Sequence, residues 1–433
     1  MKRYVWTDLT QAEQDEALAR PEGLSDPKVF KAVIDILASV KSGGDKAVAD
    51  FTARFDGVTP PAFKISTEYM KEAWQTLPEI QRDAINVAKA NIEAFHEAQI
   101  PSNIEVETME GVMCRREARP IETAGLYVPG GTAPLVSTLL MLAVPAKVAG
   151  VRRRVVVTPP SQDGTVNQAI LAAAYRCKVT NLFVCGGAQA IAALAYGTES
   201  IPKCDKIFGP GNAYVAAAKS LAAQEPGGPA IDMPAGPSEA MVVADDDANP
   251  AFVASDLLSQ AEHDTLAQVI CVATTETIAD AIKAQIALQI ETLPRKDIAF
   301  AAISKSRMII ANNRTDIIDI INRYAPEHLI LQIKDPETLV AAIRNAGSIF
   351  LGPWTPESVG DYASGTNHTL PTYGAARAYS GVTLESFIKY VSVQKLTRKG
   401  LEALGPTVET LADMEGLEAH RRAVSLRLES KVK

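Results

Sequence analysis

Cysteine is scarce in this chain of 433 residues. There are five, Cys114, Cys177, Cys185, Cys204 and Cys271, and no two are spaced as Cys-x-x-Cys. An odd, scattered set excludes a disulfide scaffold and a thiolate metal cluster. It fits a reducing cytoplasm and leaves nitrogen and oxygen donors for any metal. Long apolar runs are missing too. The longest stretch, Pro134 to Gly150, is interrupted by Pro145 and Lys147 and is too short to span a bilayer. The first residues, Met1 to Asp8, carry no apolar core of a secretory signal, so none is expected. Nor is there a surplus of positive charge. Lys and Arg total 43 against 51 Asp and Glu, giving a net charge of −8, and Arg152-Arg153-Arg154 is the one short basic run. That balance argues against a nucleic acid or an anionic membrane as the main partner. A complete Gly-x-Gly-x-x-Gly fingerprint is also absent: Gly209-Pro210-Gly211 is followed by Tyr214 where the third glycine would stand.

What remains is a globular composition, 47% apolar and 22% charged, in a chain long enough for two or more domains. Residues 1–123 read as helical: Lys28 to Val40, Asp45 to Phe55, and Thr67 to Ala98 with Pro78 breaking it. From residue 124 the pattern alternates strand, Gly-containing turn and helix. Ala124 to Val128, Val155 to Val157, Val179 to Cys185 and Lys206 to Phe208 read as strands, each followed by a helix. A second run of alternation covers 238–380, and the tail 381–433 reads as helical again. Repeated strand–turn–helix units predict an α/β fold with two parallel sheets, one in 124–237 and one in 238–380.

Four Gly-rich joints follow the strands of the first run, Pro129 to Pro134 and Gly186-Gly187 among them. Glycine at such joints lets backbone N–H groups approach a phosphate, which points to nucleotide binding. Any one of them alone is equally an ordinary turn. In the second run, Asn249-Pro250 opens a helix whose apolar face (Phe252, Val253, Leu257, Leu258) leaves Asp256, Gln260 and His263 on a polar edge. That edge either presents ligands or is a solvated histidine at a helix C-terminus. Glu327-His328 offers two titratable groups at one turn, suited to acid–base work, or an exposed acidic turn. His368 sits in a long polar loop after Asp361, and His420 follows Glu415 and Glu418 in the tail. With Gln260 and His263 they form a possible N/O metal set suited to zinc, although the spacing is too long-range to be a motif. Ser238, in Met233 to Glu239, could bond a ligand or only the backbone. His96 reads as a structural helix-surface histidine, and Cys185 and Cys204 as packing residues.

Five blocks in order, GGAQAIAALAYGTESIPKCDKIFGPGN (186–212), DMPAGPSE (232–239), SDLLSQAEHD (255–264), PEHL (326–329) and GDYASGTNH (360–368), resemble the histidinol dehydrogenase family. The resemblance runs through nearly the whole chain. It implies two incomplete Rossmann-like domains tied by the terminal segments, in a cytoplasmic, zinc-dependent homodimer whose tails cross between subunits. It implies two successive NAD-dependent oxidations of L-histidinol to L-histidine through a bound aldehyde. Residue by residue, zinc would be held by Gln260, His263, Asp361 and His420. NAD would meet Tyr127, Gln189 and Asn212; the substrate would meet Ser238, His368 and Glu415 together with His328 and the metal ligands. Glu327 and His328 match the catalytic pair. Rival readings are a related dehydrogenase of another small alcohol, such as a sulfonated diol, a zinc hydrolase using Glu327 on water, and a non-catalytic nucleotide-binding module.

Overall fold

The computed structural model describes residues 1–21, 27–60, 62–130, 134–234 and 236–430. Within it Met1–Ala98 and Ile121–Phe387 form one compact unit, and Gln99–Pro120 with Ile388–Lys433 a second. The larger unit contains both sheets. The first runs, edge to edge, through strands Lys64–Ile65, Asn181–Val184, Arg153–Thr158, Thr123–Tyr127, Lys206–Phe208 and Ala230–Ile231. All neighbours are parallel except the short edge strand Lys64–Ile65, which runs antiparallel to Asn181–Val184. The second sheet runs Lys2–Val5, Arg307–Ile310, Gln268–Ala273, Glu239–Ala244, His328–Gln332 and Ser348–Leu351, every pair parallel.

Parallel strands covered on both faces need apolar residues at every position, and these have them. Leu126, Val156, Leu182 and Val184 pack one way, against helices Val136–Val148 and Gln168–Arg176. Their neighbours Tyr127, Val155, Val157 and Phe183 pack the other way, against helices Pro27–Asp56, Gly187–Tyr196 and Ala213–Gln224. The second sheet divides likewise. Val242, Val269, Cys271 and Ile330 meet helix Pro250–Ala261. Met241, Val243, Ile270 and Leu329 meet helix Arg314–Tyr324 and Trp6.

The predicted α/β class and both parallel sheets are present, but the terminal segments are less helical than expected. Lys2–Val5 adds an edge strand to the second sheet and Lys64–Ile65 one to the first. Ile104–Met109, Val112–Pro120 and Ile388–Leu396 form an antiparallel three-stranded sheet of the smaller unit. Most of these strands are short or largely exposed, and Val112–Pro120 is only half-buried. They therefore carry little of the hydrophobic periodicity by which a strand is recognised. Pro78 separates helices Thr67–Thr76 and Glu79–Glu97, as predicted, and a break at Gly44 interrupts Pro27–Asp56.

One buried ion pair fixes the turn after strand Lys206–Phe208. The Lys219 ammonium bonds the Asp232 carboxylate and donates to the Gly209 carbonyl at 2.9 Å, while Asp232 accepts from Gly209 N–H at 2.8 Å. Both side chains are almost wholly buried. Gly209 itself has φ +116°, and a Cβ there would lie 2.1 Å from the Tyr127 carbonyl oxygen. Removing one member leaves the other charge buried and unpaired. Asp232→Ala is therefore expected to lower unfolding stability by about 3–5 kcal/mol, measured by urea titration.

Candidate functional site

Strands Thr123–Tyr127, Arg153–Thr158, Asn181–Val184 and Lys206–Phe208 all end at one side of the first sheet, and their carboxyl ends border one cavity. Its volume is about 690 Å³, and Tyr127, Pro159, Gly187, Gln189 and Asn212 are in its wall. Ligands of open parallel sheets bind at this edge, near where the strand order reverses. Here the reversal lies between Thr123–Tyr127 and Lys206–Phe208. The Tyr127 hydroxyl accepts from Gly187 N–H at 3.2 Å, and burial pushes its pKa up to about 12, so it is a neutral phenol. Gly187 has φ +64°, and a Cβ there would fall 2.7 Å from the Gln189 amide oxygen. Asn212 caps helix Ala213–Gln224, accepting from Tyr214 and Val215 N–H. The three residues expected to meet NAD thus line one cavity. Residues 131–133 of the first Gly-rich joint lie outside the described residues.

A second cluster forms at the opposite, amino edge of the second sheet. His328 is the first residue of the penultimate strand His328–Gln332, between Glu239–Ala244 and the edge strand Ser348–Leu351, and Glu327 precedes it. Both are buried. Glu327 accepts from Glu239 N–H at 2.9 Å, and Ser348 N–H donates to the Glu327 carbonyl. Helix Glu357–Tyr362 brings Asp361 to 3.2 Å from His328 Nε2. His328 Nδ1 stands 3.7 Å from the Glu327 carboxylate and has no hydrogen-bond partner. His328, Glu357 and Asp361 present donor atoms within 4.8 Å of one another. Glu357 is one that the sequence reading missed. It lies four residues before Asp361 in one helix, a spacing that puts both on one face and could have marked it.

Helix Pro250–Ala261 opens on the expected Asn249 cap and runs back toward this edge, ending in buried Gln260. The Gln260 amide oxygen is buried with no hydrogen-bond partner, as are one Glu357 oxygen and His328 Nδ1. Buried polar atoms are ordinarily satisfied, so three unpartnered electron-pair donors at one edge suit the binding of a cation. His263 follows the helix; the residue is exposed as a whole, yet burial of its imidazole lowers its pKa against the pull of Asp361. Asp256, one turn before Gln260, accepts from Gln332 at 3.0 Å, and burial raises its pKa to about 6. His368 Nδ1 donates to the Asp361 carbonyl at 2.9 Å, which leaves Nε2 to accept from the Thr138 hydroxyl, also at 2.9 Å. Ser238 is half-buried just before strand Glu239–Ala244. The larger unit therefore brings Gln260, His263, Asp361, Glu327, His328 and His368 to one region. Glu415 and His420 belong to the smaller unit, where both are exposed. His96, expected on a surface, is instead buried with Nδ1 bonded to the Ile92 carbonyl, and Cys185 and Cys204 are buried as expected.

The electrostatics follow from crowding carboxylates around one buried imidazole. Burial alone would lower the His328 pKa, but Glu357, Glu327 and Asp361 outweigh it and raise it to about 10. Burial raises Glu327 to about 8 against the pull of His328. For Asp361 burial acts upward, yet its bond to His328 and the nearby imidazoles prevail and lower it. A His328 raised in the fold from 6.5 contributes stability that is full below about 6.5 and lost as the pH rises toward about 10. Asp361→Asn removes one of the groups that raise it. In the metal-free protein the His328 imidazole should then titrate at lower pH than in the parent, observed by NMR; an unmoved or raised midpoint would contradict this account.

The family model for histidinol dehydrogenase matches residues 19–428. The histidinol dehydrogenase of Vibrio parahaemolyticus is 48% identical over 429 residues, covering 99% of both chains. The chloroplastic histidinol dehydrogenase of Arabidopsis thaliana is 50% identical over 432 residues, covering 99% of this chain and 91% of the plant one. A crystal structure of histidinol dehydrogenase from Elizabethkingia anophelis, 46% identical, superposes with a TM-score of 0.95 over 99% of this chain and 98% of that one.

Proposed function

This chain belongs to the histidinol dehydrogenase family of NAD-dependent oxidoreductases, and we propose that it oxidises L-histidinol to L-histidine in two NAD-dependent steps through a bound aldehyde. The observation that carries this reading is the buried Glu327–His328 pair, held at one strand end with Asp361 beside it. A water-activating carboxyl and a proton-accepting imidazole are what an alcohol-to-acid oxidation requires.

In the first step His328 removes the substrate hydroxyl proton while hydride passes to NAD, giving the aldehyde and NADH. Glu327 then takes a proton from water as its oxygen adds to the aldehyde carbon. A pKa near 8 suits that task at neutral pH. Once His328 has passed its first proton to solvent, the hydrate loses its second hydride to a second NAD with His328 again as base, and the acid leaves as the carboxylate. Gln260, His263, Asp361 and His420 would hold zinc, which supplies a Lewis-acid anchor for the substrate imidazole and amine. The donor set suits that role, and the orphaned Gln260 oxygen supports it. A base must be neutral imidazole; Asp361, one of three carboxylates that raise His328, would have its charge offset on holding the metal, while Glu357 and Glu327 still raise the group. Ser238, His368 and Glu415 would contact the substrate, Tyr127, Gln189 and Asn212 the NAD. His420 and Glu415 would serve a homodimeric, cytoplasmic enzyme whose tails cross. Both nitrogens of His368 are already engaged, so a substrate bond at its ring displaces Thr138.

Mixing the protein with L-histidinol and NAD should release two NADH per histidinol, followed by absorbance. The signal should vanish with a strong chelator and return with zinc. Turnover of a sulfonated diol but not of histidinol would move the substrate; hydrolysis without nucleotide would replace the reaction. Glu327→Gln should spare the first oxidation more than the second, whereas His328→Asn should impair both by about 10²–10⁴-fold. Equal loss of both steps in Glu327→Gln would sink the division of labour.

A further inference from the structure

A dinucleotide carries a ribose diol that its protein must read, and sheets of this kind do so with a carboxylate following the second strand. That place is vacant of acid here. Strand Arg153–Thr158 runs straight into Pro159 and Pro160, both in the cavity wall. Among the described lining residues the carboxylates come instead from helix Pro27–Asp56, as Asp35 and Asp56. Asp35 is exposed, where water competes for any hydroxyl. Asp56 is half-buried, and its Oδ2 is shut from water without a hydrogen-bond partner. It lies close enough to Tyr127 and Cys185 for its charge to act on both, which places it toward the sheet side of the cavity. An acceptor oxygen that is buried and unbonded costs free energy until a donor arrives.

Resting on the reading of this cavity as the dinucleotide site, we propose that Asp56 accepts hydrogen bonds from the adenosine ribose hydroxyls and so selects NAD over NADP. The 2′-phosphate of NADP brings close to two negative charges against this carboxylate and removes the hydroxyl that would satisfy it. Among the described lining residues Arg54 is the one cation that could favour the phosphate. Its guanidinium is exposed and lies over the Phe55 ring, 5.4 Å from the centroid, where water screens it. The deeper, unsatisfied carboxylate outweighs it.

The test is equilibrium binding of NADH and NADPH to the full chain, followed by nicotinamide fluorescence, in the parent, Asp56→Asn and Gln189→Ala. The parent should bind NADH at least tenfold more tightly than NADPH. Asp56→Asn should weaken NADH about tenfold or more, the effect of a hydrogen bond to a charged group, and bring the two affinities together. An unchanged thermal melt shows that the variant folds; if it does not, the parent's own ratio still decides, because equal binding of NADPH overturns the proposal. A Gln189→Ala chain that loses NADH while Asp56→Asn keeps both affinity and ratio overturns the role of Asp56 and leaves the cavity as the nucleotide site. Unchanged binding in both variants overturns the reading of the cavity itself.

Discussion

One buried imidazole in the company of three carboxylates sets the terms on which the larger unit is built. Ions removed from water must be paired and bonded, or the fold does not tolerate them. The frame that meets this demand spreads outward from His328. Glu327 is held by the amide of Glu239, whose own carboxylate takes the Arg20 guanidinium at 2.8 Å and the amide of Tyr373. Arg20 in turn donates to the Tyr324 carbonyl and lies over that ring, 4.0 Å from its centroid. A residue from the beginning of the chain thereby neutralises a carboxylate one step removed from the imidazole. The parallel strand Lys2–Val5, which anchors the chain's beginning to the second sheet, lies in the same N-terminal stretch.

The parts legible in the sequence are those with a local signature. Asn249-Pro250 with its apolar stripe marked the helix that ends in Gln260, and the Gly-punctuated alternation marked both sheets. Glu327 and His328 could be singled out as neighbours, though not as buried, because burial depends on strands far away in the chain. Glu357 looked like an ordinary acid in a first helical turn behind Pro356, where acids are common for dipole reasons alone. Asp361 shares its helix face, but only the approach of strand His328–Gln332 brings the imidazole beside it. Asp56 closes an amphipathic helix and reads as solvated until the sheet edge is placed against it. Strand Ile388–Leu396 escaped because its side chains are mostly exposed, so the pairing that stabilises it leaves no alternation to read.

The two sheets are used from opposite ends. The cavity of the first opens at the carboxyl ends of its strands, where glycines bring backbone donors forward. The titratable cluster of the second sits at the amino end of strand His328–Gln332, where the returning helix Pro250–Ala261 delivers side chains rather than backbone. The bond from Thr138, in a helix on the first sheet, to His368, beside the second cluster, links the two regions directly. Backbone recognition suits a cofactor common to many proteins, and a side-chain cluster suits chemistry particular to one.

The clamp of Lys219 and Asp232 on Gly209 holds both the amide and the carbonyl of one residue in the turn that leads to Asn212 in the cavity wall. A turn fastened at both polar groups of a peptide has little freedom to shift. The facing wall comes from helix Pro27–Asp56, which is interrupted at Gly44 and carries Asp56 at its end. One side of the cavity is thus set by a charged clamp behind its turn, and the other by a helix broken at Gly44.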